Sequence, residues 1–367
     1  MIIYIHTSMQ FKKYSHILFF LIFFTLIHLT KAQVGQESAA FNAAGSQIVT
    51  VSVDNTAKIW DAETGDLLHT LEGHTSSVQS AVYNAAGTQI VTASWDNTAR
   101  IWDAESGELL HTLEGHTSGV YLAVYNATGS QIVTASRDNT ARIWDAESGE
   151  LLHTLEGHTN TVTSAVYNAT GSQIVTASLD STARIWDAES GELLHTLEGN
   201  TSGVHSAVYN ATGTQIVTVY SDGTARILVA ESGELLHTLE GRKYRVRSAV
   251  YNATGSQIVT VYTDGTARIW DAESGELLHT LEEHTSRVNS AIYNAIGSQI
   301  VTASFDNTAR IWDVESGELL HTLEGHTDWV KSAVYNATGS QIVTASTDGT
   351  ARIWDATTGE LLHSCKL

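Results

Sequence analysis

Histidine, serine and aspartate recur through this chain in a way that could do chemistry. There are 17 histidines in 367 residues, enough to raise metal coordination, and a His, a Ser and an Asp return together, as in His74, Ser94 and Asp96. Those are the residue types of a hydrolase triad. Their distribution argues against both chemistries, because the histidines fall into two evenly repeated sets instead of converging on one place. One set, typified by His111, sits mid-way along an extended Leu-Leu-His-Thr-Leu run, where a neutral or solvated strand residue is expected. No Gly-rich phosphate loop precedes a helix, and no helix is expected at all. The reading is therefore a non-enzyme with no metal and no cofactor.

The elements that carry these residues are themselves repeated. Ile-Trp-Asp returns at Trp60, Trp102, Trp144, Trp186, Trp270, Trp312 and Trp354, at intervals of 42 residues or twice that, and Leu228 fills the gap. A turn aspartate marks all eight units: Asp54, Asp96, Asp138, Asp180, Asp222, Asp264, Asp306 and Asp348. Within the second unit, runs rich in Val, Ile, Thr and Tyr alternate with Asn-Ala-Ala-Gly, Asp-Asn and Glu-Ser-Gly turns. This predicts four strands, a to d, over 78–83, 89–94, 99–102 and 109–113. Strand b is apolar with little alternation, as befits a strand covered on both faces. One such sheet cannot bury both faces alone; stacking units around a ring does so and leaves only short edges.

Gly-His, about 30 residues, then Trp-Asp, in units of this length, resembles the WD-repeat β-propellers, over the whole chain after residue 32. The resemblance implies an all-β propeller, most simply of eight four-stranded blades, with seven blades and a spare unit as the alternative. It also implies a buried tetrad of His, Ser or Thr, Asp and Trp in each complete blade. Carried over, this gives His74, Ser94, Asp96 and Trp102; His116, Ser136, Asp138 and Trp144; and His158, Ser178, Asp180 and Trp186. Blades seven and eight supply His284, Ser304, Asp306 and Trp312, and His326, Ser346, Asp348 and Trp354. In that geometry the Ser is buried, with no oxyanion site beside it. Blade five departs (Asn200, Tyr220, Asp222, Leu228), as does blade six (Arg242, Tyr262, Asp264, Trp270), and blade one has no His. Blade five is the expected weak point. The chain begins at a strand a and ends at a strand d, so ring closure should rest on side-chain packing.

Divergence between the copies is uneven. The non-repeated aromatics are Trp95, Tyr121, Tyr220, Tyr244, Tyr262, Phe305 and Trp329, and the non-repeated cations before the terminal Lys366 are Arg137, Arg242, Lys243, Arg245, Arg247, Arg287 and Lys331. All fall in the d–a loop, at the start of strand a, or around the b–c turn, which share one rim, the usual partner face in WD-repeat proteins. With Leu179 and His205, which occupy the same variable positions, the candidate partner-binding set is Trp95, Tyr121, Arg137, Leu179, His205, Tyr244, Arg245, Arg247, Arg287, Phe305, Trp329 and Lys331. Trp, Tyr, Phe and Arg are enriched at interface hot spots. The opposite rim is nearly invariant and acidic. The expected partner is a protein or peptide, acidic with an apolar anchor; an anionic glycan is the alternative.

Residues 1–32 place Lys12 and Lys13 before an apolar run from Ile17 to Ile27 and a Thr30-Lys31-Ala32 boundary, the layout of a secretory signal peptide. The run is shorter than the roughly 20 residues that span a bilayer. Residues 33–367 form the propeller, and the expectation is a secreted, periplasmic or cell-surface protein. Taking three lysines and no carboxylate from 19 basic and 40 acidic residues leaves 16 against 40, which with export opposes nucleic-acid binding. The one cysteine, Cys365, permits no internal disulfide. Asn126, Asn168, Asn210, Asn252 and Asn336 each begin Asn-Ala-Thr, read as turn formers first and glycosylation acceptors second.

Overall fold

A computed structural model describes residues 38–52, 54–198, 202–239 and 245–367. Among them the chain is entirely strand and turn, and each unit closes into one antiparallel sheet with its strands in chain order. In blade two, strands a to d are Val78–Tyr83, Gln89–Ser94, Ala99–Asp103 and Leu109–Leu113, the expected spans with one residue added to strand c. Ile90 to Ser94 are all buried, so strand b is covered on both faces. The turns follow from their residues. Asn97 takes a left-handed φ of 73° after Asp96, a conformation Asn tolerates. Asn84 accepts backbone N–H groups from Thr88 (2.9 Å) and Gln89 (3.2 Å) through its side-chain oxygen, an Asx-type closure of the a–b turn. The Asn-Ala-Thr asparagines do the same, and Asn126 directs its Nδ2 to Ser130. The amide nitrogen that would carry a sugar is thus engaged within the turn.

Eight such sheets stand in a ring, an eight-bladed β-propeller, and the space between neighbours is the core. The strand-d histidines have a role the sequence did not reveal. His69 of blade one donates from Nε2 to the Glu105 carbonyl in the c–d turn of blade two (2.7 Å), and His111, His153, His237 and His321 repeat the contact around the ring. The c–d turn must come close to receive that ring, and Gly107 (φ +73°) is where it does: a Cβ there would sit 2.8 Å from the His69 Cβ.

The ring closes without a shared strand. Strand a of blade one is Ala39–Phe41 and the last strand of blade eight is Leu361–Lys366; among the described residues neither pairs across the seam. Instead Ala39, Phe41 and Ile48 pack with Val334, Val343, Ile353 and Cys365. Cys365 is buried there, 3.7 Å from the Gly65 carbonyl, and burial pushes its thiol up to about 11. Gly65 meets His363 of blade eight as Gly107 meets His69, with a hypothetical Cβ 2.9 Å from the His363 Cβ.

That equivalence is testable. Gly65→Ala and Gly107→Ala should each lower the denaturation midpoint by a similar amount, on the order of 1–2 kcal/mol from the left-handed φ alone plus the clash. A marked loss for Gly107→Ala with none beyond the φ cost for Gly65→Ala would mean that the ring is open at the seam.

Candidate functional site

The variable rim is built on a hydrogen-bonded chain that ties both of its loops to the core. In blade two, Trp102 Nε1 donates to Thr92 Oγ1 (2.9 Å), Thr92 Oγ1 lies 2.8 Å from His74 Nε2, and His74 Nδ1 lies 2.7 Å from Asp96 Oδ2. A neutral His74 carrying its proton on Nδ1 satisfies all three bonds in one direction. Asp96 Oδ2 also accepts the Thr75 N–H, and Oδ1 accepts both the N–H and hydroxyl of Thr98. Strand c, strand b, the d–a loop and the b–c turn are thereby joined.

The hydroxyl in this chain corrects the expected tetrad. It belongs to Thr92, Thr134, Thr176, Thr302 and Thr344, not to Ser94, Ser136, Ser178, Ser304 and Ser346. The serines lie two residues on, on the same strand face, where Ser94 donates to the Ser76 carbonyl and accepts the Asp96 N–H. The expected His, Asp and Trp residues are brought together in all five blades. Burial alone would push the tetrad carboxyls up, but the hydrogen bonds and the neighbouring histidine outweigh it. Asp96, Asp138 and Asp306 are held well below the usual range, and Asp180 and Asp348 at about 2. Burial likewise lowers His158, His284 and His326 against the opposing pull of their aspartates, which favours the neutral ring. With each Thr shared between Trp and His, nothing here is poised as a nucleophile.

The incomplete blades show what replaces a missing histidine. Tyr220 and Tyr262, expected among the rim aromatics, are buried (3% and 0% exposed). In blade six the Tyr262 hydroxyl accepts from Thr260 Oγ1 (3.2 Å), Trp270 still donates to Thr260 (2.7 Å), and the Arg268 guanidinium lies 4.3 Å from the Tyr262 ring centre. The tyrosine thus meets the threonine hydroxyl as histidine does elsewhere. Blade five keeps Tyr220 with Arg226 5.0 Å above it but has Leu228 for the Trp, and so lacks the indole donor. Asn200, Arg242, Lys243 and Tyr244 lie outside the described residues.

Two further devices bring the variable positions together. A bulge in strand a lifts one residue out of register with strand b, and it is Gln79, Tyr121, Thr163, His205, Arg247, Asn289 or Lys331 in successive blades. Bulges re-aim side chains at sheet rims. Next, the residue before the turn Asp donates its N–H to the carbonyl of the residue before the first strand-a Val, as Trp95 does to Ser77, Arg137 to Gly119 and Phe305 to Arg287. The three variable positions of a blade are therefore adjacent by construction.

They also pack on the next blade. Trp95 lies over Gly119, where a Cβ would come within 3.0 Å of its Cδ1, and Leu179 lies similarly over Gly203. Phe305 stacks on Trp329, with ring centres 4.3 Å apart and planes at 15°. Arg287 sits 3.7 Å from the Phe305 centre and Lys331 5.5 Å from both rings. Part of the divergence between copies is thus matched packing along the rim. Trp95, Arg137, His205, Arg245, Arg247 and Trp329 remain exposed, while Tyr121, Leu179, Arg287, Phe305 and Lys331 are half-buried; Gln79, at an equivalent position, is buried. Arg245, Arg247 and His205 gather on blades five and six. Burial and then the Arg287 charge lower Arg247, and burial and then Arg247 and Arg245 lower His205. Among the described residues none of these arginines has a carboxylate within 4.0 Å.

On the opposite rim, Asp103 Oδ1 accepts the Glu105 and Ser106 N–H groups and the Ser106 hydroxyl. These bonds, led by the Ser106 N–H, hold its carboxyl below the usual range. The aspartate of that rim is therefore structural, while Glu105 and Glu108 enter the turn through their backbone N–H groups. Among the described residues no group of His, Cys, Asp and Glu has the geometry of a metal site.

The family model described as "WD domain, G-beta repeat" matches eight successive segments: 26–61, 65–103, 107–145, 149–187, 191–227, 233–271, 275–313 and 317–355. Similar curated proteins include "Dynein assembly factor with WD repeat domains 1" of Xenopus laevis, 51% identical over 41 residues, and that of Danio rerio, 54% identical over 41 residues. Each match covers 11% of this chain and 10% of the relative, so it spans about one unit. The crystal structure of the computationally designed Ika8 protein is similar at a TM-score of 0.78 and 26% identity, over 88% of this chain and 97% of that one.

The shared threonine sets a measurable difference. Thr92→Val leaves both His74 Nε2 and Trp102 Nε1 without a partner, whereas Thr50→Val in blade one orphans only Trp60 Nε1. At about 1–3 kcal/mol per buried unpaired group, the loss of stability in urea should be roughly twice as large for Thr92→Val. Equal losses would show that the histidine bond contributes nothing.

Proposed function

Because the chain belongs to the WD-repeat family, whose propellers are generally protein-interaction scaffolds, we propose that it is a non-catalytic, exported scaffold gripping a protein or peptide through its variable rim. The observation that supports this most directly is the cluster on blades seven and eight, where Phe305, Trp329, Arg287 and Lys331 are packed on one another before any partner arrives. Such preorganisation spares the ordering cost that binding otherwise carries. The cations around it, Arg245 and Arg247, suit an acidic segment, and the exposed indole of Trp329 suits an apolar anchor. The opposite, acidic rim is spent on turn geometry and contributes repulsion that orients an acidic partner towards the basic one.

A partner captured by the intact chain should be lost from the triple variant Arg245→Ala, Arg247→Ala, Trp329→Ala, by more than tenfold in affinity and with little change in melting temperature. Retained binding would move the site elsewhere. A glycan array run alongside separates the sugar reading, and binding to sugars alone would sink the protein-partner reading. The export reading rests on residues 1–32, which lie outside the described structure. N-terminal sequencing of the protein recovered from its host should begin at Gln33, and a retained Met1 or Met9 would refute it.

A further inference from the structure

A cavity of about 250 Å³ opens on the variable rim at blades five and six, lined by His205, Ser221, Arg245, Arg247, Thr263 and Asn289 among others, and among the described residues its wall holds no carboxylate. A single water needs only about 10–15 Å³ of such space, so a polyatomic group and part of the chain that bears it fit inside. The wall thus brings two guanidinium groups, those of Arg245 and Arg247, to one place, while Arg287 stacks on Phe305 beyond it. Like charges gathered without a counter-charge repel each other, and an arrangement of that kind invites an anion.

The number of donors indicates which anion. One carboxylate has two oxygens and is satisfied by a single bidentate guanidinium, which would leave the second arginine unneutralised. A phosphoryl monoester carries about −1.5 to −2 charge at pH 7 and three strong acceptor oxygens, matching the two guanidinium groups with the hydroxyls of Ser221 and Thr263 beside them. Ser221 is already placed by its 3.0 Å contact with His205 Nε2. Asn289 joins the cavity to the aromatic cluster, since its side chain donates to the Lys331 carbonyl (2.5 Å).

We propose that this cavity receives a phosphoryl group carried by the protein partner, whose neighbouring apolar residue reaches the Phe305 and Trp329 stack. The inference rests on the partner-binding reading of the rim, yet its test needs no partner.

The full chain is titrated calorimetrically, at constant ionic strength in chloride, with inorganic phosphate, acetate, a glycine pentapeptide centred on phosphoserine and its unphosphorylated counterpart. The phosphopeptide should bind saturably, at least tenfold tighter than acetate or the serine peptide and at least as tightly as free phosphate. Arg247→Gln and the double variant Arg245→Ala, Arg247→Ala should lose at least tenfold. Lys366→Ala, an exposed cation on the last strand of blade eight, should lose nothing. If the double variant does not fold by circular dichroism, the single variant decides. No saturable phosphopeptide binding, an equal response to acetate, or an equal loss in Lys366→Ala would overturn the site; tighter binding of free phosphate than of the phosphopeptide would overturn its assignment to a protein partner. Phosphopeptide binding by the triple rim variant's single-change parent Trp329→Ala, together with loss of the natural partner, would leave both proposals standing. Partner binding unaffected in the triple variant would overturn both the partner reading and the assignment of the phosphoryl group to that partner.

Discussion

Everything on the variable rim depends on a threonine hydroxyl at zero exposure. Thr92 accepts from an indole on one side and meets a histidine on the other, and the histidine holds the aspartate at the head of the b–c turn. Side-chain hydroxyls buried in apolar surroundings are costly unless satisfied, so the strand, the turn and the d–a loop are drawn into one geometry. The glycine before the histidine belongs to the same arrangement, because a Cβ at Gly73 would overlap the Arg100 guanidinium. Blade seven has Glu283 there instead, 3.9 Å from Arg310. The loops can therefore vary in their exposed side chains while their backbones stay put.

Two of the three blades without the tetrad histidine, five and six, carry a second change. Both carry Tyr in place of the strand-b Ser, and the tyrosine fills the interior beside the Thr while an arginine covers its ring. These are also the blades that flank the arginine-rich cavity. Two blades without the histidine network thus adjoin rim arginines that, among the described residues, have no carboxylate within 4.0 Å.

The period and the strand spans were legible in the residues, with eight blades the simplest ring they allow, because stacking repeated units buries every sheet face; the ring itself excludes the seven-bladed alternative. The identity of the tetrad hydroxyl was not. Thr92 and Ser94 are two apart on one strand, face the same way and both carry an oxygen; only the side-chain geometry separates them. Tyr220 and Tyr262 were read as surface aromatics from their place near a turn, and nothing in their types announced that the absence of a histidine had opened room for them inside. The rim positions themselves were found by comparing copies, but their mutual packing was hidden, since Trp95 over Gly119 and Leu179 over Gly203 are contacts between different units.

Each blade here is one uninterrupted stretch of chain, and the seam between the last and the first is made of the same histidine-to-glycine contact as six of the other seven, Gly233 of blade five meeting Leu197 instead. A duplication or loss of a whole unit in the gene would therefore leave two ends that still match, with no strand stranded on the wrong side of the join. What limits the number is only the angle at which neighbouring blades lean together. Such a chain is a template for its own recombination: the frame can be copied intact while three side chains per copy are free to acquire a new surface.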